Sequence, residues 1–252
     1  MIRYESEERD GVEIGFVILS RPEKRNALTP DAIGHLSDAA HEGAKTARSI
    51  AIIGEGPVFC AGFDLALCAE HPDGSVMREL LTGLSEAVRV LRRLDVPVIA
   101  GVHGGAIAGG AALLGGADLV VAERSAKIGY PVVRLGVSPA VSVPFLSCSV
   151  EPGGARAMTL DPGLISAADA HRRGLVHELV DGPAAVFERV RELAFLLALK
   201  PADAVSATKA WLNELDGTAA DARAAWALDA SLALTGSPDE QARLQKAVFG
   251  DE

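Results

Sequence analysis

From Val96 to Ala117 the chain runs for 22 residues without a charge, and the punctuation of that stretch limits what the whole can fold into. A membrane-spanning helix needs about 20 consecutive apolar residues, so the run is long enough. Yet it carries seven glycines and a histidine, and it begins with a β-branched strand pattern at Val98 to Val102. It therefore reads as buried strand, glycine loop, small-residue helix near Gly109 to Gly116, and a further strand at Leu119 to Ala122.

The same alternation precedes it. Val12 to Ser20 is a strand by its β-branched content, ended by Arg21-Pro22, and a loop over Arg21 to Ala27 follows. Thr29 is placed to cap a helix over Pro30 to Ala44, with Pro30 first and Asp31 in the first turn. Ser49 to Gly54 reads as a buried strand, Glu55 to Gly62 as a glycine turn into Asp64, residues 65 to 75 as a flap, and Val76 to Leu94 as a helix. Strands alternating with helices favour parallel pairing, hence an α/β fold. The last quarter is helical in pattern, around Phe187 to Leu199, Ala202 to Glu214 and Thr218 to Leu234. The expected division is a core over 1–195 and a helical C-terminal subdomain over 196–252.

Composition narrows the partners. A formal net charge of -10 and a pI near 5.1 offer no attraction to nucleic acid or to an anionic membrane surface, so a small molecule is expected. An anionic ligand would need local cations, and Arg21, Lys24 and Arg25 form the obvious cluster. Cys60, Cys68 and Cys148 are odd in number and widely spaced, which suggests a reducing compartment with no disulfide framework and no metal site. Met1 to Gly11 is charged and holds no apolar run, so the expected location is cytoplasmic.

The loop Gly104-Gly105-Ala106-Ile107-Ala108-Gly109 follows a strand and opens a helix, as a dinucleotide site would. Ala106 stands where the second glycine belongs, and the next strand ends near Glu123, too early for a ribose-binding acid about 20 residues on. A different use of such a turn is to aim a backbone N–H at an oxygen that gains negative charge. A second glycine turn, Phe59-Cys60-Ala61-Gly62-Phe63-Asp64-Leu65, can bring another.

At this point the residues resemble a family. The strings Gly56 to Leu65, Val102 to Gly110 and Arg21-Pro22-Glu23-Lys24-Arg25-Asn26-Ala27-Leu28 are similar, in order and spacing, to three signature segments of the crotonase (enoyl-CoA hydratase/isomerase) superfamily. Gly129-Tyr130-Pro131, Leu135-Gly136-Val137 and Ile165 to Ala170 extend the resemblance. It implies a ClpP-like spiral of ββα units with a helical C-terminal trimerisation subdomain, a homotrimer or hexamer, and an acyl-CoA thioester as ligand. No cofactor is implied beyond the coenzyme A of the substrate.

The resemblance further implies an oxyanion hole from the N–H groups of Phe63 and Gly109. It places CoA along Lys24, Arg25, Ala27, Leu28, Ala61, Asp64 and Leu65. The two glutamates that move protons in the hydratases fall at Ala112 and Val132, neither of which can do so. Asp64 and His103 are weak substitutes for that role, with Arg134 and Ser138 nearby in sequence and Glu70 and His71 on the flap. Two readings stay open, an enzyme of this type with unusual or absent acid–base groups, and a non-catalytic acyl-CoA binder. A serine peptidase of the related fold is disfavoured, because Gly110 and Ala111 stand where its nucleophile would.

Overall fold

The computed structural model describes residues 2–160 and 163–250; the outermost ends of the expected spans, Met1 and Glu252, lie outside them. The chain opens on a hairpin in which β1 (Ile2–Arg9) pairs antiparallel with β2 (Val12–Leu19). Asp10 and Gly11 turn it with φ of 53° and 75°, the backbone hand that matches strand twist. β2 was expected and β1 was not: five charges in its eight residues hide the strand, although Asp-Gly before a β-branched run is itself a hairpin signal.

Helix α1 (Pro30–Gly43) begins as expected, with the Thr29 hydroxyl accepting the Ala32 N–H at 3.2 Å. The chain then winds through similar turns, each giving one strand to a main sheet and one short extended piece to a second. β3 (Ile50–Gly54) leads to a parallel bridge at Cys60, then α2 (Leu65–Ala69) and α3 (Ser75–Arg93). β4 (Val98–Val102) leads to β5 (Gly105–Ile107) and α4 (Gly109–Leu113). β6 (Leu119–Glu123) leads to β7 (Lys127–Gly129), two 3-10 turns, α5 (Val143–Ser149) and α6 (Gly154–Leu160). β8 (Ile165–Ser166), α7 (Ala167–Arg172) and β9 (Glu178–Val180) complete the sheets. The main sheet runs β1-β2-β3-β4-β6-β9, parallel from β2 onward, and the second runs β5-β7-β8.

Both faces of the main sheet are covered, which is why its strands read as near-continuous apolar runs. Val17, Ile52, Ala100 and Val120 pack toward α1 and α3, while Ile14, Ala51, Ile99 and Val121 meet Val186, Val190 and Ala194 of α8 (Pro183–Ala198). Residue 195, where the helical subdomain was expected to start, lies inside α8. The inner face of that helix closes the core, so the core reaches at least residue 198.

Three more helices follow, α9 (Ala202–Asp216), α10 (Asp221–Leu232) and α11 (Pro238–Phe249). Buried Lys209 ties α9 to the sheet, its Nζ donating to the Val96 carbonyl at 2.9 Å and to Asp118 at 2.7 Å. The expected flap is in part the short helix α2, and α11 lies over it, with Gln245 Nε2 donating to the Ala69 carbonyl at 2.8 Å. Among the described residues no helix is long and apolar enough to cross a membrane.

Candidate active site

The loop that leaves β2 is drawn against the first glycine turn by one side chain. Asn26 is buried at 2% exposure; its Oδ1 accepts the Arg21 N–H at 2.9 Å, and its Nδ2 donates to the carbonyls of Glu55, Val58 and Phe59 at 2.8, 2.9 and 3.1 Å. Its φ of 56° is left-handed, a conformation asparagine tolerates better than most residues. In the sequence Asn26 was legible only as part of a motif, because nothing local shows that its amide turns inward.

The two glycine turns are joined by backbone hydrogen bonds. Phe59 N–H donates to the His103 carbonyl at 3.0 Å, Cys60 N–H to Gly105 at 3.1 Å, and Ile107 N–H to Cys60 at 3.0 Å. A Cβ on Gly110 would stand 2.5 Å from the Cys60 carbonyl oxygen, so only glycine permits this approach. Burial pushes the Cys60 thiol up to about 12, which leaves it a small packed hydrogen-bond donor, not a nucleophile.

Beside this seam, Leu28 N–H donates to Gly62 at 2.7 Å and Asp64 N–H to Leu28 at 2.9 Å. That parallel bridge turns the intervening Phe63 N–H the opposite way. Gly109 is the first residue of α4, where helix N–H groups have no partner of their own. Among the described residues, neither the Phe63 nor the Gly109 N–H has a protein acceptor. Both residues border one cavity of ≈ 130 Å³. Ala108, just before Gly109, adopts φ 53° and ψ -114°, a strained backbone for a residue with a Cβ.

The cavity is apolar. Met77, Leu81 and Leu84 of α3 form one side, and residues 130 to 142 most of another. Among the described residues its polar side chains are Tyr130, Ser138 and Ser142, and no Asp, Glu, His, Cys, Lys or Arg lines it. Burial raises the Tyr130 hydroxyl well above its ordinary value, and that hydroxyl donates to the Ala111 carbonyl at 3.1 Å. No group of three or more His, Cys, Asp or Glu among the described residues could hold a metal ion.

The expected site residues divide accordingly. Phe63, Gly109, Ala61, Leu65 and Val132 line the cavity, while Ala112 is buried behind it at 3% exposure. Leu28 is core and packs beneath Gly109. Ala27 is half-buried on the same loop, and its carbonyl lies 3.4 Å from Arg21 Nη1. Lys24 and Arg25 are exposed, and the Arg25 carbonyl takes the Ala61 N–H at 3.0 Å. Asp64 does not face the cavity: its carboxylate pairs with Arg21 at 2.8 Å and caps α2 through Leu67 N–H.

His103 is a correction. It lies 1% exposed on the α8 side of the sheet, with its ring 5.2 Å from that of Phe187 and Nε2 2.9 Å from the Gly56 carbonyl. Strand parity explains this, because Ile99 and Gly101 face α8 and His103 continues that row. Glu70, His71 and Arg134 are exposed and outside the cavity lining.

Known proteins share these features. The model of the enoyl-CoA hydratase/isomerase family matches residues 9–248. The crotonyl-CoA hydratase of Syntrophomonas wolfei is 31% identical over 206 residues, 80% of this chain and 78% of that protein. The 1,2-epoxyphenylacetyl-CoA isomerase of Escherichia coli is 31% identical over 210 residues, 81% and 79% of the two chains. In solved structures, an enoyl-CoA hydratase/isomerase from Xanthobacter autotrophicus superposes with a TM-score of 0.84 at 28% identity, covering 98% of this chain and 93% of that one. The enoyl-CoA hydratase of Bacillus halodurans, at 23% identity and a TM-score of 0.83, shows the same fold. The ββα spiral is the crotonase fold, and the chain belongs to the enoyl-CoA hydratase/isomerase family.

Proposed function

We propose that this protein binds an acyl-CoA thioester and polarises its carbonyl between the N–H groups of Phe63 and Gly109, stabilising an enolate without a hydratase-type glutamate pair. The observation that carries this reading is the two unpartnered backbone donors on the border of one apolar cavity. Each such donor is worth about 10² to 10³ in rate when charge develops on the oxygen it holds. Lys24 and Arg25, exposed and without an ion-pair partner among the described residues, supply cations for the CoA phosphates. The chemistry needs no cofactor beyond the CoA of the substrate and suits a cytoplasmic enzyme.

A second reading, a non-catalytic acyl-CoA binder, is favoured by the absence of any group on the cavity wall that changes charge near neutral pH. Calorimetry with short- and medium-chain acyl-CoA, together with the carbonyl chemical shift of a 13C-labelled thioester, tests both. Binding with a downfield carbonyl shift supports the oxyanion hole, and slow exchange of the α-proton with deuterated solvent separates enzyme from binder. If no thioester binds, both readings fail.

The assembly belongs to the same proposal. Trp211, Leu212 and Leu215 of α9 and Trp226 of α10 are 54% to 78% exposed, an apolar surface that a trimer or a dimer of trimers would cover. Light scattering at micromolar concentration gives the mass, and a monomer would reject it.

A further inference from the structure

The cavity wall includes a hydroxyl that neither donates to nor accepts from any of the described residues. Ser142 is 5% exposed, lines the cavity, and has no hydrogen-bond partner among the described residues. Of the other polar side chains on the wall, Tyr130 donates to the Ala111 carbonyl and Ser138 accepts the Ala140 N–H at 3.3 Å, whereas Ser142 does neither. Nor is its position loose. Ser231 of α10, 1% exposed, donates to the Ser138 carbonyl at 3.0 Å and accepts the Val141 N–H at 3.0 Å, which pins the turn directly before Ser142.

A hydroxyl on a buried, pinned residue that bounds the cavity and has no protein partner is set to receive a ligand atom. Among the described residues the cavity has no cationic side chain, so a carboxylate there would be buried without a counter-charge. A neutral oxygen meets no such penalty. Resting on the acyl-CoA reading above, we infer that Ser142 is a specificity-determining residue that hydrogen-bonds a hydroxyl or oxo oxygen on the acyl chain. The preferred ligands are then hydroxyacyl- or oxoacyl-CoA thioesters, ahead of plain alkyl thioesters of equal length. Serine both donates and accepts, so either oxygen type can be recognised, and direct comparison tells which.

The test is a titration series by calorimetry on the intact protein and its Ser142→Ala variant. The ligands are butanoyl- and hexanoyl-CoA, unsubstituted or carrying one hydroxyl or one oxo group at successive carbons from C3 outward. Ser142→Ala is expected to weaken at least one oxygenated thioester about three- to tenfold and to leave the unsubstituted ones within about twofold. Its thermal midpoint should be unchanged or higher, since no internal hydrogen bond is lost. A lower midpoint with uniform weakening of every ligand would mark Ser142 as structural and overturn the assignment. So would binding that never distinguishes oxygenated from plain chains. Failure of every thioester to bind wild-type protein would instead defeat the acyl-CoA reading on which the inference rests.

Discussion

The cavity has two walls built by different means. On one, the glycine turns at 59–65 and 103–110 are held together by main-chain hydrogen bonds, the four contacts of Asn26 fasten the loop after β2 to the first of them, and both present main-chain N–H groups. On the other, α3 and residues 130 to 142 contribute residues of which none, among those described, carries charge. A wall made of backbone keeps its chemistry as long as the turns keep their shape. A wall made of side chains keeps its chemistry only as long as particular residues stay. The first wall offers two N–H groups without a protein acceptor, and the second, among the described residues, offers no carboxylate, imidazole, thiol or amine.

The largest expected effect tests the second wall. Wild-type protein should hydrate crotonyl-CoA very slowly, and Ala112→Glu with Val132→Glu should raise that rate about a hundredfold or more, the scale of general acid–base help. Loss of enoyl absorbance follows the reaction, with CoA binding as the check that the variant is folded. Fast hydration by wild type would break the contrast, because some group outside the cavity lining would then be moving protons.

The first wall is tested next. Asn26→Ala strands four backbone groups and places alanine in a left-handed conformation, so stability should fall by at least about 3 kcal/mol in denaturant titration. A loss below about 1 kcal/mol would mean that the loop and the turn do not depend on that side chain. Gly110→Ala forces a methyl group against the Cys60 carbonyl and should cost about 2 kcal/mol, with acyl-CoA affinity reduced as the turns part. Ala108→Gly acts the other way. By relieving the strained φ it should gain about 1 kcal/mol, some 2–4 °C in thermal midpoint, with binding retained.

The smallest effect concerns the support behind the second wall. Glu240 of α11 is buried against Gly136; Arg78, Cys68 and Asp239 are its charged or titratable neighbours. Burial holds its carboxyl above the ordinary value. A raised folded pKa means that its contribution to stability is complete below the unfolded value and is lost as pH rises through the folded one. Glu240→Gln should therefore flatten the decline in stability on going from acidic to neutral pH. Parallel denaturation curves for the two proteins across that range would count against it.

Much of this was legible in the sequence. β3, β4 and β6 were readable because strands covered on both faces are apolar throughout, and α1 because its cap and first-turn proline are local signals. The cavity-lining Phe63 and Gly109 were reached through motif resemblance. What escaped depended on facing. His103 was placed near the pocket although strand parity turns it toward α8, and the inward amide of Asn26 has no local signature. β1 escaped because an exposed strand lacks the apolar content by which buried strands are recognised. α8 runs across the expected limit at residue 195, because a helix can be alanine-rich and still pack on the sheet.

That charged first strand also bears on solubility. A six-stranded sheet ends somewhere, and an open edge is a template for further strands and for fibrous aggregation. One edge here is β1, which places Arg3, Glu5, Glu7, Glu8 and Arg9 along its length, and the other is the three-residue β9. A second copy approaching edge to edge would have to strip water from this row of charged side chains, which opposes the pairing. The hairpin thus works as a gatekeeper, closing the sheet to uncontrolled growth.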